Sequence, residues 1–132
     1  MKIILQTILL MFLLIACSDN SSNSNQSVIT GRWEGEVTYQ VAVKLGLKLN
    51  LSEKDGNVTG NGTFYVSVAG IPQETNVTVS GTFKNPTLNL TFSGVTGLTY
   101  KGDLSVTNNK IIIGTLNTME YPAQNLTLNK IN

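Results

Sequence analysis

The sequence contains no histidine and only one cysteine, Cys17. Histidine is the side chain that most often transfers protons near neutral pH, so its absence excludes catalysis by a histidine-based dyad or triad. A single cysteine cannot form a disulfide within the chain, and it cannot supply a metal site built from several thiolates. We therefore predict no catalytic residues, no metal site, no cofactor and no enzymatic activity.

Long hydrophobic runs are also absent, except for one at the N-terminus. This run, Ile3 to Ile15, is about 13 residues long, whereas a helix needs roughly 20 residues to span a bilayer. The positive charge of Lys2 precedes it, as in a cleaved secretory signal peptide. Residues 1–16 are therefore predicted to be a signal peptide that is removed.

The run ends in Leu14-Ile15-Ala16-Cys17, which resembles the lipobox of bacterial lipoproteins. The resemblance implies cleavage before Cys17, a diacylglycerol on the Cys17 sulfur and acylation, for instance by palmitate, of the new N-terminus. Each buried methylene contributes ~0.8 kcal/mol, so two or three acyl chains hold a protein firmly on a membrane. An ordinary secretory signal with a coincidental cysteine is the alternative.

The lipobox implies a location in the bacterial cell envelope, with the membrane as a partner through the anchor on Cys17. Ser18, rather than aspartate, follows the cysteine, which in enteric bacteria permits transfer to the outer membrane. We therefore favour the outer membrane, on its periplasmic or surface face, over the inner membrane. Ser18 to Ser27 are polar and carry Asp19 as their one charge, so residues 17–29 are predicted to be the lipidated cysteine and a disordered linker. Residues 30–132 are predicted to be the folded domain.

Charge is scarce as well, at 13% of the residues. Without Lys2, which is lost with the signal peptide, the eight remaining basic residues balance eight acidic ones. No basic stripe is available to bind phosphates, so nucleic acid is not expected as a partner.

From Gly31 onward, apolar residues recur at every second position and almost nowhere at helical spacing. This period of two is typical of strands with one buried face, and it predicts eight strands and no helix. The residues predicted to face inward include Trp33, Val37, Val41, the alternate positions from Val43 to Leu51, Val58, Val68, Thr75, Val77, Leu88, Leu98, Val106, Ile111, Ile113, Leu126 and Leu128.

Facing residues of a hairpin share one side of the sheet, so the alternation also predicts loop lengths. An even loop is expected at Asn85-Pro86, and a tight type I′ turn at Asn108-Asn109. An odd loop is expected within Gly94 to Gly97, and Glu53 to Asn57 has strong turn chemistry. The first two strands require an odd loop near Val41 to Val43, with one long bent strand as the alternative.

Consecutive antiparallel strands with one apolar face must cover that face or close on themselves. Glycines at inward positions, which let strands bend, favour closure; they are Gly35, Gly60, Gly62, Gly81 and Gly102. The predicted fold is a small antiparallel up-and-down β-barrel, with an open β-sandwich or half-barrel as the alternative. An outer-membrane barrel would place the apolar face on lipid, and the inward glycines and the lipid anchor favour a soluble barrel instead.

Gly31-Arg32-Trp33 at the start of such a meander resembles the G-x-W signature of lipocalins and related calycins. In that family the tryptophan plugs one end of the barrel beneath a basic side chain from the last strand. The resemblance implies the same role for Trp33, with Lys130 as the basic partner in a cation–π pair. The family usually has arginine there, and its long first loop and C-terminal helix are missing, so the resemblance concerns architecture rather than ligand.

Three polar or loop features admit a second interpretation. Glu34 and Glu36 are interpreted as a solvated strand face, with a cation or sugar site as the alternative. Asp55-Gly56-Asn57 is interpreted as a hairpin turn rather than a calcium loop. Thr118 to Ala123 is interpreted as a loop crossing to the last strand, which alternatively closes one mouth of the barrel or offers Tyr121 to a partner.

Two functions are compatible with these features. The favoured one is an anchored interaction or structural module that recognises an envelope or host protein through its surface or loops. The alternative is a binding protein for a small apolar ligand inside the barrel. A closed apolar void would favour the ligand and a filled centre would favour surface recognition. The predicted interior wall consists of Tyr39, Leu47, Leu49, Phe64, Val66, Val79, Phe83, Leu90, Phe92, Tyr100 and Leu104.

Overall fold

The computed structural model describes residues 26–132. The signal peptide, Cys17 and most of the linker lie outside these residues. The described part of the chain forms eight strands and no helix, as the alternation predicted, and it therefore has no helix long and apolar enough to span a membrane. The strands are β1 (Gly31–Tyr39), β2 (Val43–Lys54), β3 (Asn57–Val68), β4 (Ile71–Lys84), β5 (Thr87–Ser93), β6 (Thr99–Leu104), β7 (Ile111–Asn117) and β8 (Gln124–Ile131).

The strands form a closed barrel in sequence order, and every neighbouring pair is antiparallel. Closure comes from β1 and β8, which pair over a short stretch where Trp33 faces Lys130. The predicted small lipocalin-like up-and-down barrel is confirmed, and the open sandwich and half-barrel are excluded.

The apolar residues of each strand point into the barrel and form one core. Burying their side chains together is the main favourable term for folding, because each large apolar side chain contributes about 1.5–3 kcal/mol. The residues with less than 2% exposure are Trp33, Tyr100, Ile29, Leu45, Leu47, Leu88, Leu98, Ile112, Leu116, Leu126, Leu128 and Val58.

Four of the predicted turns lie where the sequence placed them. Asp55-Gly56 joins β2 to β3 with φ of 53° and 81°, the left-handed conformation that a two-residue hairpin favours. Asn85-Pro86 joins β4 to β5 as an even loop, and residues 94–98 join β5 to β6 as an odd one. The three-residue loop 40–42 pairs Tyr39 with Val43, which excludes one long bent strand.

The prediction for the hairpin between β6 and β7 was wrong. Ile112 is fully buried, whereas Ile113 is 62% exposed, and Leu104 pairs with Ile112 across an odd loop. Asn108 and Asn109 lack the positive φ of a type I′ turn. Instead, the Asn108 side chain and carbonyl accept hydrogen bonds from the N–H groups of Lys110 and Ile111. Three consecutive isoleucines carry no alternation, so the sequence could not indicate which one faces inward.

Several residues at the strand ends also differ from the prediction. Val41, Val68 and Val106 are exposed, because Val41 and Val106 lie in loops and Val68 ends β3 at the tip of its hairpin. Thr75 has the inward parity but is exposed at the open end of the barrel. The period-two pattern thus holds within the barrel wall and fails where a strand extends past its neighbours.

The barrel also includes residues that were assigned to the linker. Ile29 is fully buried, Val28 packs against the core, and the Thr30 N–H donates to the Ser27 carbonyl in a tight turn. This segment covers the end of the barrel where β1 begins. Ile29 belongs to the same buried core as Trp33, so the packed structure begins before residue 30.

Candidate functional site

The end of the barrel where β1 begins, here called the closed end, is sealed by Trp33. The Trp33 Nε1–H donates to the Ile29 carbonyl at 2.7 Å. Lys130 Nζ donates to the Val28 carbonyl at 2.8 Å and lies 5.5 Å from the centroid of the Trp33 ring. Desolvation, and secondarily the charge of Lys110, lower the pKa of Lys130. The contacts leave the indole ring fully buried and tie the N-terminal segment to the last strand.

The centre of the barrel is filled. Leu45, Leu47, Leu88, Ile112 and Leu128 have no exposed surface, so no water-sized space adjoins them. Eight strands enclose just enough room for their own side chains. Of the predicted interior wall, three residues are half-buried, Tyr39, Val66 and Phe83, and eight are buried, Leu47, Leu49, Phe64, Val79, Leu90, Phe92, Tyr100 and Leu104.

The opposite end, here called the open mouth, contains a cleft of about 600 Å³. It exists because β3 and β4 have 12 and 14 residues, whereas β5 and β6 have only 7 and 6. Part of its lining is apolar or aromatic, namely Phe64, Val66, Val95, Met119 and Tyr121. The rest is polar, namely Gln73, Thr75, Thr96, Thr118 and Glu120.

The segment from Thr118 to Ala123 forms one side of the mouth. The Thr118 hydroxyl accepts a hydrogen bond from the Tyr121 N–H at 2.9 Å and lies 3.2 Å from the Tyr121 carbonyl, so it folds the segment into a compact turn. The half-buried Tyr121 ring meets Tyr39 edge to face, with 5.7 Å between centroids. The segment thus borders the mouth while Tyr121 packs against β1.

Glu36 belongs to a polar cluster on the outer face. Tyr65 donates to Glu36 Oε2 at 2.7 Å, and Lys44 Nζ lies 2.9 Å from Oε1. These two hydrogen bonds lower the pKa of Glu36, while desolvation and Glu36 itself raise the pKa of Tyr65. Glu34 lies 3.7 Å from Arg32. Glu34 and Glu36 thus have separate basic partners, and both border an open depression of about 270 Å³ on the outer face.

The chemistry of the remaining acidic residues is limited. Asp55 and Gly56 form a hairpin turn in which Glu53 Oε1 accepts the Gly56 N–H, so this carboxylate stabilises the turn. Within residues 26–132, no three histidine, cysteine, aspartate or glutamate side chains converge on a point that could hold a metal ion.

Sequence reasoning placed Phe64, Val66 and Thr75 on the inward face and gave closure of one mouth as the alternative role of Thr118 to Ala123, but it did not bring these residues together with Gln73, Val95 and Thr96. Gln73 and Thr75 come from β4, whereas Thr96, Met119 and Glu120 come from two loops, and the tertiary fold brings these segments together. One signal was available, because strong turn residues at Gly94 and Gly97 end β5 only seven residues after it begins.

No protein-family model, curated protein or solved structure matches the chain. Any functional assignment therefore depends on the geometry of the site.

Proposed function

We propose that this chain is a non-enzymatic, lipid-anchored protein of the bacterial envelope that recognises a partner protein through its open mouth. The observation that carries the proposal is the contrast between a filled centre and an open cleft of about 600 Å³ at one end. A filled barrel leaves its surface and mouth as the places where recognition can occur.

The position of the N-terminal segment supports an orientation for this recognition. The chain enters the barrel at the closed end through Ser27 to Ile29. A chain spans at most ~3.5 Å per residue, so an anchor on Cys17 lies within roughly 35 Å of the closed end. The mouth lies at the other end of β3, whose 12 residues extend about 40 Å. The proposed anchor would therefore hold the closed end near the membrane and direct the mouth away from it.

A small ligand is the second candidate, and the mouth cleft is the observation that favours it. Its volume lies within the range of about 300–1,000 Å³ typical of small-molecule sites. Phe64 and Val66, from the predicted interior wall, contribute to its lining. Such a ligand would occupy the mouth rather than the barrel centre.

Site-specific photo-crosslinking in the native envelope tests recognition at the mouth. A photoreactive amino acid would replace Gln73 or Met119 at the mouth, and exposed Thr107 or Asn109 at the closed end as a matched control. We expect adducts of one defined mass from the mouth positions and none from the controls. Equal labelling from both ends, or no adduct from the mouth, would contradict the proposal.

Mass spectrometry of the protein extracted from membranes tests the anchor and the second candidate together. We expect an N-terminal Cys17 peptide that carries a diacylglycerol, and a Cys17→Ser variant that is released from the membrane. An unmodified Cys17 would overturn the anchor. A small molecule that co-purifies with the protein, and is lost from a Val66→Trp variant that fills the mouth, would favour the second candidate over protein recognition.

A further inference from the structure

β4 extends well past β5 at the open mouth. It pairs with β3 as far as Ile71, but its first partner on β5 is Ser93, which faces Thr78. Within residues 26–132, no strand pairs with the other edge of β4 between Ile71 and Val77. This stretch, here called the free edge, is a strand edge at which another extended chain can add hydrogen bonds.

The register shows which backbone groups face the free edge. The Phe83 N–H donates to the Gly56 carbonyl at 2.8 Å, so Phe83 directs its backbone groups to the β3 side. Direction alternates along an antiparallel strand. Gln73 and Thr75 therefore bond to β3, whereas Glu74 presents its N–H and carbonyl at the free edge. Pro72 offers only a carbonyl there, because proline has no N–H.

The free edge lies beside the mouth cleft. Gln73 and Thr75 line the cleft from β4, and Thr118 to Tyr121 line it from the opposite side. A strand added to the free edge would continue the line of β5 above Ser93 and complete the missing part of the barrel wall. Because side chains alternate along a strand, every second side chain of the added strand would enter the cleft, against Phe64, Val66 and Met119.

The charges around the free edge are acidic, and no ion pair among residues 26–132 neutralises them. The two ion pairs found in residues 26–132 are Arg32–Glu34 and Lys44–Glu36, so Glu74 and Glu120 belong to neither. The cleft lining contains Glu120 but no lysine or arginine. Residues that face each other on adjacent strands are stabilised by opposite charge. The position opposite Glu74 therefore favours a lysine or arginine.

We propose that the free edge of β4 binds an extended segment of a partner protein as an added strand, with apolar side chains in the mouth cleft and a basic side chain opposite Glu74. This inference rests on the proposed recognition at the mouth and specifies its chemistry. The partner segment has alternating apolar and polar residues, with at least one basic residue on the outward side.

A second copy of this chain fits the free edge less well. Symmetric pairing at Glu74 would oppose two carboxylates, which is destabilising. If one copy moved along the other in one direction, Pro72 would enter the pairing, and Pro72 has no N–H to donate. If it moved in the other direction, Asn76 would enter the pairing, but the Asn76 carbonyl already lies close to Gly94.

The test uses a displayed library of random dodecapeptides, selected against the full-length protein in detergent micelles. We expect enriched peptides to alternate apolar and polar residues and to carry lysine or arginine on the polar side. Glu74→Pro should weaken their binding about tenfold, because it removes an edge N–H without removing a bond to β3. Glu74→Gln keeps that N–H but removes the negative charge. We therefore expect it to weaken the binding of basic peptides by a few-fold and to leave the binding of neutral peptides unchanged.

A second measurement modifies the peptide and leaves the protein unchanged. Peptides N-methylated at alternate residues in one register should lose binding, and those methylated in the other register should retain it. Strand addition is wrong if no peptide is enriched. It is also wrong if peptides methylated in either register still bind and if Glu74→Pro does not weaken binding. If peptides bind the Glu74→Pro variant as tightly as the unchanged protein but do not bind the Tyr121→Ala variant, strand addition is refuted. Recognition at the mouth would still stand in that case. Absence of crosslinks from the mouth would instead refute the recognition itself.

Discussion

At the residue scale, the Tyr100 hydroxyl is a buried polar group with a clear chemical consequence. It donates to the Leu126 carbonyl at 2.9 Å and lies 3.3 Å from the Ile112 carbonyl, inside the barrel. Burial disfavours the charged phenolate and raises the pKa of Tyr100. The hydroxyl is thus held neutral while it connects β6 to β7 and β8.

Replacing Tyr100 with phenylalanine should change how the free energy of unfolding depends on pH in the alkaline range. The folded pKa is raised above the unfolded value of about 10, so the contribution of Tyr100 is complete below pH 10 and is lost as pH rises beyond it. We expect Tyr100→Phe to lower the free energy of unfolding by about 1 kcal/mol at pH 7 and to flatten its decline above pH 10. Denaturant titrations at pH 7 to 11 measure both effects, and an unchanged alkaline slope would contradict the burial of the hydroxyl.

The closed end offers a second residue-scale prediction, because Trp33 is the sole tryptophan and its fluorescence reports on this end alone. Lys130→Met removes both the cation above the ring and the donor to the Val28 carbonyl. We expect a loss of about 1–2 kcal/mol in the free energy of unfolding. Lys130→Arg, the matched control, keeps a cation and donors and should recover at least half. Equal losses in both variants would show that the contact contributes little.

At the element scale, the sequence predicted hairpins well where the flanking strands alternate cleanly, as they do around the turn between β2 and β3. Asp55-Gly56 adopts positive φ at both residues, and glycine and aspartate are suited to that conformation. The sequence failed at β7, where Ile111 to Ile113 removes the alternation that defines a face. There the side that faces inward is decided by tertiary pairing, since Gly102 faces Gly114 and Tyr100 faces Leu116.

Adjacent isoleucines on β7 provide a matched test of this register. Ile112 is fully buried and Ile113 is 62% exposed. We expect Ile112→Ala to lower the free energy of unfolding by about 2–4 kcal/mol. Ile113→Ala should change it by no more than about 0.5 kcal/mol. Chemical denaturation of the two variants measures both values, and a larger loss from Ile113→Ala would restore the register first expected.

At the scale of the whole molecule, one end of the barrel is closed and the other is open, and the sequence predicted only the closed end. The inward glycines and the Gly31-Arg32-Trp33 motif predicted closure and the residue that plugs the closed end. The mouth depends on the extension of β4 past β5 and on how residues 118–123 pack across the opening. Both are relations between segments distant in sequence, so neither local propensity nor period-two alternation could reveal them.

Amide hydrogen exchange along β4 in the free protein is the most direct measurement of this asymmetry. Gln73 and Thr75 have backbone N–H groups directed at β3, whereas the Glu74 N–H faces the free edge and solvent. We expect slow exchange at Gln73 and Thr75 and fast exchange at Glu74 between them. Equally slow exchange at all three residues would mean that β4 is paired on both edges, and it would contradict both the open mouth and the recognition proposed for it.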